Sequence, residues 1–468
     1  MVSIDPTQAP VAESTTSSNK FYFAAWRWHF YAGLYVIPFL IMLALTGLIM
    51  LWVSVIAGRD GEWIAVEPNG VPMAVSVLSE AAVDAVPDGK LVQYVAPRAD
   101  DLAAILRVDS GADAVMVAVN PYTAEILAEM PRREGWYDFA NKVHGTLLLG
   151  VTGDRMIEIA ASLAMVLIAT GLYLWWPRGG QGVRVLVPNL AARGRALWKT
   201  LHATVGAWIS LLLVLFLISG LSWAGIWGEK FVQAWSTFPA EKYAAPASDS
   251  IHASMNHGAI KEVPWALEQT PMPASGSDSG ARGLADGMPV TLDTVTAFAR
   301  QIGFENRFQL NLPNGKEGVW TISRDTMSND STSPTNDRTV HIDQYTGKIL
   351  ADVKFADYSV YGKGMAVGIA FHEGDMGLWN IVLNTVFCLS VIFVSVSGAV
   401  MWWMRRPNKA KRLAAPPMPR DMPQWKGAIV VGLLVSLAFP MAGVTLLAVL
   451  ALDFVVISRI PAMRRAFS

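Results

Sequence analysis

The sequence predicts a membrane α-helical protein: a pseudo-twofold core of four helices, a C-terminal helical hairpin, and two small α+β domains on the outer side. Three observations predict it. The chain of 468 residues is 53% hydrophobic and only 16% charged, with mean hydropathy +0.35, whereas soluble chains carry about a quarter charged residues. The apolar residues cluster into runs of about twenty residues, long enough to cross the ~30 Å hydrocarbon core at ~1.5 Å per residue. Finally, the chain repeats itself.

The elements follow in order. A mostly polar tail (1–27) precedes the first span (28–53), whose apolar run is Phe30 to Val53. With no small-residue cleavage site just after it, this span is read as retained. A first outward loop (54–135) leads to a short outer-face helix from Trp136 to Leu149, a turn at Gly150 to Gly153, and the second span, together 136–177, with Asp154 as its cap. The connecting loop (178–200) holds Arg178, Arg184, Arg193, Arg195 and Lys199 and no acid. The third span (201–227) then opens a second outward loop (228–370), and the fourth span (371–404) closes it. The next segment (405–426) carries Arg405, Arg406, Lys409, Lys411, Arg412, Arg420 and Lys426 against Asp421 alone. By the positive-inside rule both basic segments are cytoplasmic, as are the N-terminus and the tail at 460–468. A run broken at Pro440 and flanked by basic residues, including Arg464 and Arg465, predicts a two-helix hairpin, TM5 and TM6, over 427–459. The expected location is the bacterial inner membrane, in contact with lipid.

The repeat organises these pieces. His29, Thr46 and Gly47 in the first span match His202, Ser219 and Gly220 in the third, at a constant offset of 173 (202 − 29). His144 and Thr170-Gly171 correspond to His372 and Ser397-Gly398, each followed by a Trp-Trp pair. Both halves run in the same sense, so they are parallel repeats about an axis along the membrane normal. The outward loops repeat too. Val119 to Leu127 matches Ile342 to Leu350, a hairpin pattern, and helical spacing precedes each, over Ser76 to Val86 and Thr291 to Gly303. One small domain per loop is expected, with 271–287 and 326–338 as mobile insertions of the second.

Four of the seven histidines occupy repeat positions at span entrances. Topology sorts them into His29 with His202 on the cytoplasmic side and His144 with His372 on the periplasmic side. Facing imidazoles of this kind suit axial ligation of haem iron, so the expected cofactors are two haems, the inner one among Trp26, Trp28 and Trp198. The single cysteine, Cys388, and the lack of a C-x-x-C-H motif mean non-covalent attachment. One histidine alone at a helix end is better explained as an interfacial residue; four at repeated positions in lipid are not. The repeated glycines and Thr or Ser residues read as packing, and Trp52, Trp175, Trp176, Trp223, Trp227, Trp402 and Trp403 as interfacial belts. His252, His257 and His341 read as surface histidines, although the first two have metal-ligand spacing. Asp154, Arg155 and Glu158 fit capping and charge compensation as well as a propionate or substrate site.

Arg27-x-His29-x3-Gly33 leading into a span that ends Leu-Thr-Gly, the segment ending Thr-Gly-Leu-Tyr-Leu-Trp-Trp-Pro, and the outward hairpins resemble PepSY-associated transmembrane proteins. That group includes PiuB-like iron-regulated membrane proteins and ferrisiderophore reductases. The resemblance implies PepSY-like outward domains, two b-type haems ligated by His29, His202, His144 and His372, and reduction of a ferric siderophore or other ferric chelate in the periplasm. No G-x-G-x-x-G fingerprint follows a strand, so the electron donor is expected to be separate, a quinol or a cytoplasmic reductase. No nucleic-acid partner is expected. The alternative is a non-enzymatic membrane protein whose outward domains bind a periplasmic peptide, peptidase or other protein.

Overall fold

Uninterrupted apolar sequence becomes helix here because lipid leaves backbone groups no partner outside the segment. In the computed structural model, which describes residues 17–178, 182–233, 243–256, 262–406, 413–416, 426–452, 455 and 459–460, four helices are long and apolar enough to cross a membrane. They are α1 (Ser17–Ile56), α4 (Val151–Trp175), α5 (Arg195–Leu221) and α8 (Leu378–Arg405). Their most apolar windows are only 17% to 44% buried within the protein, which leaves most of their apolar surface for lipid. His257, Lys409, Lys411, Arg412, Arg420, Asp421, Arg464 and Arg465 lie outside the described residues.

The chain divides into two compact units. One comprises Met1–Ile41, Glu158–Leu217 and Ser390–Ser468; the other comprises Met42–Ile157 and Ile218–Leu389. Small residues set the helix spacing in the first. A Cβ on Gly33 would lie 4.0 Å from Leu167, and one on Gly206 would lie 3.9 Å from Val394, so both backbones pack against side chains without a gap. The C-terminal hairpin consists of α9 (Lys426–Ala438) and α10 (Pro440–Leu452), joined at Phe439. Each has 13 residues, about 20 Å of helix, and so falls short of the bilayer core. Pro440 divides the run expected as TM5 and TM6, and most of 453–459 lies outside the described residues.

The second unit holds the loop domain and α3 (Trp136–Thr146) and α7 (Val360–Glu373). Helix α2 (Val75–Ala85) precedes β1 (Lys90–Val95), β2 (Ala104–Ser110), β3 (Asp113–Val119) and β4 (Ile126–Pro131). Helix α6 (Leu292–Gln301) precedes β7 (Gln309–Asn311), β8 (Val319–Arg324), β9 (Arg338–Asp343) and β10 (Ile349–Lys354). In place of one separate sheet per loop, the strands join in a single eight-stranded sheet ordered β10-β9-β8-β7-β1-β2-β3-β4. The junction is antiparallel, Tyr94 opposite Leu310. Both side chains are buried, so one core of Leu78, Leu106, Val295, Phe298, Leu310 and Ile322 runs beneath α2 and α6 across the junction. Splitting the sheet would open this core to water.

The opposite face near the junction is polar. Gln93 donates to Gln309 at 2.7 Å, and Thr321, Thr339 and His341 are buried. Residues 252–256 and 262–268 lie over it, with Trp265 and Leu267 buried. A short sheet of β5 (Ala247–Ile251) and β6 (Pro271–Pro273) joins the ends of this cover. The segments expected as mobile insertions are instead built into the domain. Ala281 pairs with Ile349, Leu284 is buried, and Thr326 and Asp337 are buried and bonded to each other. Polar composition misleads here because those side chains satisfy buried backbone groups.

Candidate functional site

The histidines meet in the two pairs that topology implies, one pair within each unit. The His29 and His202 rings, from α1 and α5, have centroids 6.4 Å apart and lie nearly perpendicular, at 87°. The His144 and His372 rings, from α3 and α7, are 6.3 Å apart at 82°. All four are half-buried.

A hydroxyl holds each ring from a neighbouring helix. His29 Nδ1 lies 3.0 Å from Thr170 Oγ1, His202 Nδ1 lies 2.9 Å from Ser397 Oγ, His144 Nδ1 lies 2.8 Å from Thr46 Oγ1, and His372 Nδ1 lies 2.8 Å from Ser219 Oγ. The direction of these bonds follows from the hydroxyl's single proton. Thr170 donates it to the Val166 carbonyl at 2.7 Å, Thr46 to Met42 at 2.8 Å, and Ser397 to Val394 at 2.8 Å. Each oxygen is then left to accept from Nδ1–H. His202 Nδ1 also faces the Val394 carbonyl at 3.0 Å, which can only accept. For His29, His144 and His202 the tautomer is thereby set: Nδ1 carries the proton and Nε2 keeps the lone pair a metal needs. Burial, moreover, pushes His144 down to about 4 and keeps it neutral.

A glycine follows every one of these hydroxyl residues and clears space for the imidazole. A Cβ on Gly171 would come within 3.1 Å of His29 Cε1. The corresponding distances are 3.5 Å for Gly398 to His202, 3.4 Å for Gly220 to His372 and 3.9 Å for Gly47 to His144. The Thr-Gly and Ser-Gly steps, read from sequence as packing, thus hold and clear the rings. The available signal was that a hydroxyl precedes the glycine at all four places.

The short helices are secured separately. Ser359 caps α7 by accepting from Gly362 N at 3.0 Å. At its other end Asn384 Nδ2 donates to the carbonyls of Phe371, at 2.8 Å, and His372, at 3.1 Å. Beyond His372, burial pushes the Glu373 carboxyl up while Arg59 pulls it back. Arg59 also stacks on Tyr137 of α3 at 3.9 Å. Asp154, the expected cap, lies inside the first turn of α4, pairs with Arg155 at 2.6 Å and accepts from Gly225 N at 3.2 Å.

Two imidazoles on opposite sides of one metal ion, held by ~2 Å bonds, would have ring centroids about 6 Å apart, so the spacing of both pairs would let them hold an ion between them. Among the described residues no group of three or more His, Cys, Asp or Glu is placed to hold a metal ion. Each pair offers two ligands.

His252 and His341 are not surface residues. Both are fully buried, with their Nε2 atoms 2.9 Å apart. His252 Nδ1 donates to the Thr270 carbonyl at 2.8 Å, so in the neutral pair its Nε2 accepts from His341 Nε2–H, and His341 Nδ1 accepts from Thr321 at 2.9 Å. Here every ring nitrogen is occupied.

A membrane protein of at least four long apolar helices, with a mixed α/β loop domain and two pairs of facing histidines, is the class these features define. The model of the PepSY-associated TM region matches residues 26–405, and the chain belongs to that family. No curated protein matches it.

Proposed function

We propose that this protein is a di-haem b oxidoreductase of the bacterial inner membrane, carrying electrons from the cytoplasmic side to a ferric chelate, such as a ferric siderophore, in the periplasm. The observation that carries the reading is the double pairing of histidines, His29 facing His202 and His144 facing His372, each held at Nδ1 from a neighbouring helix. His29 and His202 would hold the haem on the cytoplasmic side, and His144 and His372 the one on the periplasmic side. Haem so held supplies one-electron Fe(III)/Fe(II) exchange. The protein's own contribution is orientation: hydroxyls fix the rings, glycines clear them, and Asn384 secures the end of α7. With the cytoplasm negative, outward electron movement gains up to ~2.3 kcal/mol per 100 mV. Reduction weakens the hold of hard oxygen ligands on iron and so frees it from the chelate.

The full-length protein from haem-replete cells should show b-type bands in a reduced-minus-oxidised spectrum, with two haems per chain. His29→Ala or His202→Ala should remove one haem, and His144→Ala or His372→Ala the other. A colourless but folded protein sinks the proposal, and so does loss that ignores this pairing.

A further inference from the structure

Arginines gather at the end of the His29 and His202 site. Arg405 ends α8 with its guanidinium 5.0 Å from the Trp26 ring and 5.3 Å from the Phe30 ring; Phe30 is the residue after His29. Its Nη2 donates to the Ala414 carbonyl at 2.6 Å, but its Nε is buried without a hydrogen-bond partner. Arg195 is brought near it, since a Cβ on Gly194 would lie 4.0 Å from Met404 Cε, and the two arginines repel; among the described residues no carboxylate pairs with Arg405. A buried, unpaired N–H is costly, and two like charges add to that cost. Ordinary positive-inside arginines avoid both penalties by pointing into water.

The helix geometry places this group relative to the histidine. Arg405 follows Gly398 by seven residues (405 − 398), just under two turns, so both share one face of α8 about 10 Å apart. Gly398 is the residue against the His202 ring. In the first half of the chain Arg178 follows Gly171, which lies against His29, by the same seven residues (178 − 171). There Arg178 donates to the Tyr173 carbonyl at 2.8 Å and stacks on Tyr173 and Tyr22.

We infer that Arg405 with Arg195, and Arg178 in the equivalent place, form a carboxylate-binding clamp for the propionates of the haem held by His29 and His202. The chemistry required is a planar oxyanion, for which guanidinium offers paired donors. A porphyrin with two propionates supplies two of them beside two clamps. An anionic lipid headgroup carries related chemistry, and the test separates the two. The inference rests on the haem reading above.

The test reconstitutes haem-depleted full-length protein with haem b or with its dimethyl ester, which lacks the charges, and follows binding at each site by its spectrum. His144→Ala isolates the site in question. Wild-type ligation there should favour the free acid about tenfold over the ester, as expected for charge-assisted bonds. Arg405→Ala and Arg195→Ala should erase that preference, Arg405→Lys should restore part of it, and the His144 and His372 site should be unaffected by any of the three. Equal binding of acid and ester by the wild type overturns the clamp but leaves the haem reading intact. A phosphatidylglycerol retained in native mass spectra and lost in Arg405→Ala, with no ester effect, also overturns it in favour of lipid. Failure of both porphyrins to bind at either site overturns the haem reading itself.

Discussion

An imidazole that is to ligate iron has to present one nitrogen and surrender the other, a division that the hydroxyls of Thr46, Thr170 and Ser397 would enforce. Replacing Thr46 or Thr170 with Val keeps the shape and the helix but removes the acceptor of Nδ1–H. The ring is then free to rotate and to exchange tautomers, and loss of such an outer partner typically weakens metal binding ~10–100-fold. Thr46→Val should lower haem affinity at the His144 and His372 site by that factor, and Thr170→Val at the other, as measured by haem titration of depleted protein. Thr385 serves as a control: its hydroxyl also bonds back to its own helix, to Ile381 at 2.8 Å. Thr385→Val should leave both affinities within twofold. An equal loss in all three variants would reduce the hydroxyls to helix-packing elements.

Between helices the same site becomes a question of clearance. The glycines differ in the room they leave, from 3.1 Å at Gly171, through 3.4 Å at Gly220 and 3.5 Å at Gly398, to 3.9 Å at Gly47. Contacts near 3.1 Å force a neighbour to move by tenths of an ångström, while those near 3.9 Å are ordinary van der Waals contact. The Gly→Ala series should therefore be graded: Gly171→Ala perturbs its haem most, Gly220→Ala and Gly398→Ala less, and Gly47→Ala little, read as the low-spin fraction and the haem retained. The spans, the hairpins and the pairing of the histidines were legible at this scale because each has a local periodicity or sits at a fixed position in the repeat. The union of the two loops into one sheet was not. It depends on β1 meeting β7 about two hundred residues later, and no local pattern records a partner that distant. The burial of His252 and His341 was hidden for a related reason: polar residues default to the surface unless a partner far along the chain satisfies them.

For the molecule as a whole, the loop domain concentrates buried ionisable groups whose effects oppose one another. Burial, reinforced by Asp325, pushes Asp337 up to about 9, and Asp325 is also driven upward, by burial and by Asp330. A carboxyl whose folded value exceeds its unfolded value of about 3.9 stabilises the fold fully below the unfolded value. That contribution is lost as pH rises through the folded one. His252 acts in the opposite sense. Burial lowers it to about 4, so its contribution is full above ~6.5 and is lost as pH falls toward 4. Stability of the loop domain should therefore decline from about pH 4 toward pH 9 through the aspartates, with the histidine offsetting part of that decline below ~6.5. Hydrogen exchange of β8 and β9 amides in the intact protein, compared by opening free energy across pH to remove the intrinsic rate, measures this directly. Asp337→Asn keeps the uncharged shape and should remove much of the alkaline decline above ~6.5, where the histidine contributes no slope. His252→Gln cannot take up a proton in this range and should steepen the decline below ~6.5 alone. If Asp337→Asn leaves the alkaline limb unchanged, the carboxyl is already ionised in the folded domain, and the balance of burial against hydrogen bonding at Thr326 has to be redrawn.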